Sequence, residues 1–263
     1  MPEVKAPYAP GTPCWVDLMV PDQQAALDFY RDILGWQGEP GPAETGGYAV
    51  CTYKGLPVAG IGPTMDESTP TVWTTYLASA DAEATAAAVG KAGGTVMMPP
   101  MDVMTLGRMM VAVDPAGAVF GIWQHKEFFG AQLVNEPGAI AWNECNTRDA
   151  EASSAFYKNV FGLGVGPVPG APEGAGGYLT IQVDGRPVGG INPMTDANFP
   201  ADVPSHWMTY FCVDATDSTV DAAVKRGANV MVAPMDSPFG RMAVLTDPWG
   251  ATFSIIQDQQ KSD

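Results

Sequence analysis

The sequence predicts an α+β protein built from four strand–helix–strand–strand–strand modules, paired into two halves. Three observations carry this. First, the chain is written twice: Trp15, Asp17, Phe29-Tyr30 and Gly35 recur as Trp142, Glu144, Phe156-Tyr157 and Gly162, each displaced by 127. Second, each half contains two strand-like runs that lead into a helical pattern. Third, each half closes on the same turn, Asp114-Pro115-x-Gly117 and Asp247-Pro248-x-Gly250. Pro57-Val58-Ala59-Gly60-Ile61, Met101-Asp102 and Gly107-Arg108-Met109 also recur, displaced by 130, 134 and 133, the drift that small loop insertions produce.

The elements follow in order. Cys14 to Val20 reads as a strand, and Asp22 as the N-cap of a helix from about 23 to 34. Ala26, Phe29 or Tyr30, and Ile33 give that helix an apolar stripe, and Gly35 ends it. Strand candidates near 46–53 and 57–62 flank the turn signal Lys54-Gly55. Trp73 to Ala78 restarts the pattern, followed by an alanine-rich helix from Asp81 to Ala92 that Gly93-Gly94 stops. Thr95 to Met98, Arg108 to Val113 and Val119 to Gln124 read as strands, with Asp114-Pro115-Ala116-Gly117 turning between the last two. The modules span about 12–66, 70–125, 139–196 and 205–258, giving domains 1–130 and 131–263, each large enough for its own core. Residues 166–177 and 193–204 read as loops bordering a cleft, and 1–11 and 259–263 as loose ends.

Composition narrows the function. Hydrophobic content of 46% fits a globular chain, and no run of about 18 apolar residues spans a membrane. The start lacks an apolar signal core, so the expected location is cytoplasmic. A net charge of −16 disfavours nucleic acid as a partner. It would draw a cationic small molecule, or serve only to keep the surface soluble. Cys14, Cys51, Cys145 and Cys212 form no close pairs and read as ordinary buried thiols. Phosphate-loop and Gly-x-Ser-x-Gly motifs do not occur, and two histidines leave little room for a Ser-His-Asp site.

The run Asp22-x-x-x-Ala26-x-x-Phe29-Tyr30-x-x-x-Leu34-Gly35-Trp36 after a strand, with Asp114-Pro115-Ala116-Gly117 before one, resembles the vicinal oxygen chelate superfamily. That group includes glyoxalase I, bleomycin-resistance proteins, fosfomycin-resistance enzymes and extradiol dioxygenases. The likeness recurs in the second half and covers about 12–125 and 139–258. It implies two glyoxalase/bleomycin-resistance-like domains, each curling a mixed sheet around an open cavity. In the family's enzymes a divalent metal sits there, held by His, Glu or Gln. Counted from the helix-starting and turn Asp residues, those positions here are Trp15, Thr74 and Gly121 in the first half and Trp142, Met208 and Ser254 in the second. Neither set suits a divalent cation.

The same placement turns Asp17 and Met19 inward with Trp15, and Glu144 and Asn146 inward with Trp142, because side chains alternate along a strand. Each cavity then pairs an indole with a carboxylate, as a ligand pocket would. The competing reading pairs Asp17 with Arg108 and Glu144 with Arg241 as internal ion pairs, and both stand. Thr74 and Tyr76, or His206, Met208 and Tyr210, line the second inward strand, with Tyr48 and Tyr178 on an equivalent one. His206, facing Val72 in the repeat, is a candidate general base or a solvated histidine at a strand start.

The expected function is therefore metal-free binding of an aromatic or hydrophobic small molecule, resembling the bleomycin-resistance branch, in resistance or detoxification, with no cofactor and as a monomer or homodimer. The alternative is a metal-dependent glyoxalase-like lyase or an oxygenase or hydroxylase, using Asp17 or Glu144 with His206 as ligands or base. A third reading has one half binding and the other only scaffolding, and there the His206/Val72 difference and the longer 166–204 loops point to the second half.

Overall fold

A computed structural model describes residues 3–64, 66, 69–168 and 177–257. The first module is β1 (Pro13–Val20), α1 (Gln23–Leu34), β2 (Ala49–Tyr53) and β3 (Leu56–Pro63). The second is β4 (Trp73–Ala78), α2 (Ala82–Lys91), β5 (Thr95–Val103), β6 (Gly107–Val113) and β7 (Val119–His125). The third is β8 (Ile140–Thr147), α3 (Ala150–Phe161), β9 (Gly164–Pro167), β10 (Leu179–Val183) and β11 (Arg186–Pro193). The fourth is β12 (His206–Cys212), α4 (Thr216–Lys225), β13 (Asn229–Ser237), β14 (Gly240–Thr246) and β15 (Thr252–Gln257). Among the described residues no helix is long and apolar enough to cross a membrane.

Local chemistry sets the helix ends. The carboxylates of Asp22, Asp81 and Asp149 accept from backbone N–H groups at 3.1, 3.0 and 2.9 Å, satisfying donors that a first helical turn leaves unpaired. Gly35 and Gly162 stop α1 and α3 at φ of 74° and 70°, a conformation costly for other residues. The fourth helix starts differently: Ala215 offers no cap, and Thr216 Oγ1 donates to the Arg241 carbonyl at 2.6 Å.

Each half forms one open sheet. The first runs β2-β3-β1-β4-β7-β6-β5 and the second β13-β14-β15-β12-β8-β11-β10-β9. At each centre the first strands of two modules pair antiparallel, with Trp15 opposite Tyr76 and Asp17 opposite Thr74 in one half. In the other half Trp142 lies opposite Tyr210 and Glu144 opposite Met208.

Several expectations need correction. The first module lacks the strand that β9 supplies in the third; only a single bridge, Gln37 with Thr52, stands there. The run Gly38-Glu39-Pro40-Gly41-Pro42 explains this, since proline cannot donate to a ladder. Strand β5 continues past Met98 through Pro99-Pro100 to Val103 as an edge strand with two register shifts. Gly166 and Pro167, expected in a loop, belong to β9, while 169–176 lie outside the described residues, as do 1–2 and 258–263. Residues 3–11 are tied down: Val4 N donates to Gln132 O at 2.9 Å, and Tyr8 Oη to Ala131 O at 2.6 Å.

The largest correction concerns the core. Each hydrophobic cluster draws from both halves. One joins β1, α1 and Trp36 to Phe211, Val220, Phe253 and Ile255; the other joins Leu77, Val89, Phe120 and Ile122 to Phe156, Tyr157 and Trp207. Module one thus packs on module four, and module two on module three, through the helix-bearing faces of the sheets. Tyr30 Oη donates to Asp247 Oδ2 at 2.9 Å while accepting from Trp73 Nε1 at 2.9 Å. Tyr157 Oη donates to Asp114 Oδ2 at 3.3 Å while accepting from Trp207 Nε1 at 2.8 Å. The repeated Phe-Tyr and Asp-Pro motifs therefore interlock between halves. Between them Thr75 and Thr209 hydroxyls both donate to Asn143 Oδ1 at 3.0 Å. Among the described residues no helix covers the opposite, concave face of either sheet.

Candidate functional site

On the concave face of the first sheet, Trp15 Nε1 donates to Tyr48 Oη at 2.8 Å, and Tyr48 Oη donates to Asp17 Oδ2 at 3.1 Å. Tyr76 adds a second hydroxyl to the same carboxyl. Gly46 and Gly47, at φ of 63° and 80°, turn the chain into Tyr48. Its hydroxyl then lies over Gly60, where any β-carbon would overlap it. Phe128 closes one side, edge-on to Trp15 at 4.9 Å.

The second sheet repeats the arrangement with a longer acid. Trp142 Nε1 donates to Tyr178 Oη at 2.8 Å, and Tyr178 Oη to Glu144 Oε2 at 2.9 Å. Tyr210 Oη donates to Glu144 Oε1 at 2.8 Å. The Tyr178 hydroxyl lies over Gly190 as Tyr48 lies over Gly60.

Burial controls both acids. Asp17 is 5% and Glu144 6% exposed, and no cation pairs with either in the described structure. Loss of solvation pushes the Asp17 carboxyl up to about 7, against the opposing pull of the Tyr48 and Tyr76 hydrogen bonds. Glu144 is raised for the same reason, opposed by Tyr210, Tyr178 and Asn146. Near neutral pH Asp17 therefore acts as a neutral hydrogen-bonding acid as much as an anion, which makes it a poor anchor for a cation.

The expected residues separate cleanly. Trp15, Asp17, Tyr48 and Tyr76 meet in one half, and Trp142, Glu144, Tyr178 and Tyr210 in the other. Thr74 and Met208 sit beside the two acids in register, and His206 beside Asn146. Arg108 and Arg241 do not join them. Arg108 pairs with Glu83 at 2.8 Å and Asp102 at 3.4 Å, and Arg241 with Asp217 and Asp236. Strand parity is the cause: Arg108 shares its face with Met110 and Ala112, which are buried in the helix-side core. Met109, Val111, Met242 and Val244 take the concave face instead, a placement that the alternation 108, 110, 112 could have revealed. Asn192, opposite Asn146, was also missed, because a lone Asn after Gly-Gly-Ile carries no signal of its own.

The positions at which the family holds metal do not fit one here. An indole N–H only donates, so Trp15 and Trp142 cannot ligate. Gly121 offers no side chain, and the Tyr76 ring fills the space where its β-carbon would stand. Among the described residues no group of three His, Cys, Asp or Glu is placed to hold a metal. Asp17 and His206 lie on different sheets, so that pairing does not form.

Two concave mixed sheets built from repeated modules define the class, a tandem vicinal oxygen chelate fold. The chain belongs to the Glyoxalase/Bleomycin resistance protein/Dioxygenase superfamily, whose family model matches residues 14–122 and 139–255. It is 40% identical to the "Putative glyoxylase CFP32" of Mycobacterium bovis, over 96% of this chain and 97% of that one. It is 37% identical to the "Anthracycline biosynthesis protein DnrV" of Streptomyces peucetius, over 95% and 94%. Among solved structures, the Mn(II)-bound glyoxalase from Novosphingobium aromaticivorans shares the fold, with a TM-score of 0.64 at 15% identity over 95% of this chain and 82% of that chain.

Proposed function

We propose that the protein binds planar aromatic small molecules on its concave faces without a metal. The observation that carries this reading is the carboxyl–tyrosine–tryptophan cluster, present in both halves on the faces where the family's enzymes place metal. Its rings offer stacking surface, and its buried carboxyls and hydroxyls offer hydrogen bonds. Met19, Met109 and Met242 add soft, adaptable contact area. The relatives named for anthracycline biosynthesis support a fused-ring ligand. The name of the mycobacterial relatives suggests the enzyme alternative, a metal-dependent lyase, but the residues at the ligand positions give that chemistry no support. The buried thiols of Cys14, Cys51 and Cys145, which form no disulfide, suit action in the cytoplasm.

Titration of the tryptophan fluorescence with an anthracycline and with anthraquinone tests the proposal. Saturable quenching below millimolar concentration is expected, unchanged by a chelator. Failure of every aromatic probe to bind would overturn it, as would stoichiometric metal lost on Asp17→Ala or Glu144→Ala.

A further inference from the structure

The two concave faces are not equivalent, and at one end they differ in polarity. Beyond Glu144 the second face turns polar. Asn192 Nδ2 donates to Asn146 Oδ1 at 2.8 Å, which fixes the Asn146 amide so that its Nδ2 faces His206 Nε2 at 3.5 Å. Asn146 is buried at 1% exposure and also hydrogen-bonds Glu144. The equivalent place in the first half is apolar: the Met19 thioether packs against Gly62, and Val72 stands where His206 does.

His206 is held in a defined orientation. Its Nδ1 lies 2.8 Å from the Pro204 carbonyl, which can only accept, so Nδ1 carries the proton. The loop before it is pinned by Arg148, whose guanidinium donates to the carbonyls of Pro200 and Val203 and whose backbone N–H donates to Ser205 Oγ at 3.0 Å. Phe199 from the same loop meets the imidazole edge-on at 6.2 Å. Burial lowers the affinity of the ring for a second proton, which keeps it neutral. Nε2 is then a lone-pair acceptor whose partner among the described residues is the long Asn146 contact. A bond of that length leaves it short of a good donor.

We propose that His206 Nε2 and the Asn146–Asn192 pair form an acceptor subsite in the second half that selects ligands bearing a ring hydroxyl, whereas the first half takes unsubstituted apolar edges. The ligand O–H would donate to Nε2, and its oxygen would accept from the Asn146 amide. The spacing suits a fused-ring ligand: His206, Met208 and Tyr210 lie on one strand face, so the acceptor stands about 13 Å along the groove floor from the Tyr210 end, at roughly 3.3 Å per residue. This inference rests on the proposed binding of aromatic ligands, but it makes a separate claim about which ones are preferred.

Calorimetric titration of the full chain with β-naphthol and β-methoxynaphthalene tests it. The two share a ring system and an oxygen, and only the first can donate. The second half is expected to bind β-naphthol about tenfold more tightly, the value of one net hydrogen bond. In His206→Val that ratio should fall to near one. With two histidines in the chain, proton–nitrogen correlation spectra read His206 directly once His125→Gln assigns the other. The free protein should show the Nδ1–H tautomer, and Nε2 should move on adding β-naphthol but not its methyl ether. Equal affinities, a ratio that survives His206→Val, or an Nε2–H tautomer would overturn the subsite while an anthracycline still bound. If neither the anthracycline nor either naphthalene bound, the underlying reading would fail with it.

Discussion

Replacing Asp17 by Asn isolates the largest electrostatic cost in the first concave site. The Asp17 carboxyl rises from an ordinary 3.8 to about 7 because burial outweighs two tyrosine hydrogen bonds. Between those values the folded protein keeps the proton and the unfolded chain has lost it. Folding stability therefore declines as pH rises from about 4 to about 7, and the decline is complete above that. At about 1.4 kcal/mol for each tenfold change in proton affinity, the full penalty is at most about 4 kcal/mol. Asparagine has nearly the same shape, still meets the Tyr48 and Tyr76 hydroxyls, and does not titrate. Asp17→Asn should match the wild type near pH 4 and exceed it by up to about 4 kcal/mol at pH 8. Urea unfolding followed by fluorescence across that range measures the gap. Asp247 and Glu144 also have raised carboxyls, but they remain in both proteins and cancel in the difference. A variant weaker than wild type at pH 8, or a gap that does not change with pH, would refute the reasoning. Either result would mean that an unseen cation or solvent already compensates the charge.

Two further outcomes follow from the packing. Gly121→Ala places a β-carbon inside the Tyr76 ring, so it should cost roughly 1–3 kcal/mol of stability and weaken aromatic ligands at the first site, as read by thermal unfolding and titration. Residues 1–130 expressed alone should fail to give a dispersed amide spectrum, because Tyr30, Trp36 and Trp73 would lose the Phe211, Phe253 and Asp247 contacts that cover them. A folded, monomeric first half would show that the shared core is dispensable.

Much of the site was legible in the sequence because it depends on local parity. Trp15 and Asp17 are two apart on one strand, as are Trp142 and Glu144, so each pair had to share a face. The duplication then made every such pair testable twice. The tyrosines at 48 and 178 were visible as aromatics after Gly-Gly, but their hydrogen bonds to the acids were not, since these depend on how two strands register. The Gly-Arg-Met repeat alone left the arginine pairings open, and only the alternation of Arg108 with the buried Met110 and Ala112 carries the side on which the arginine lies.

By itself the sequence determined the modules, their helices and their order, because each follows from spacing along one chain, and the resemblance to the family then picked out the residues at its metal positions. Only the tertiary structure decided that the repeated Phe-Tyr and Asp-Pro motifs bind each other across the halves. Tyr30 and Asp247 are 217 residues apart, and nothing local distinguishes that partner from Asp114. The structure also decided that the inward acids are buried against hydroxyls and, among the described residues, paired with no cation. Proton affinity is set by the whole surrounding volume, which no pattern along the chain records.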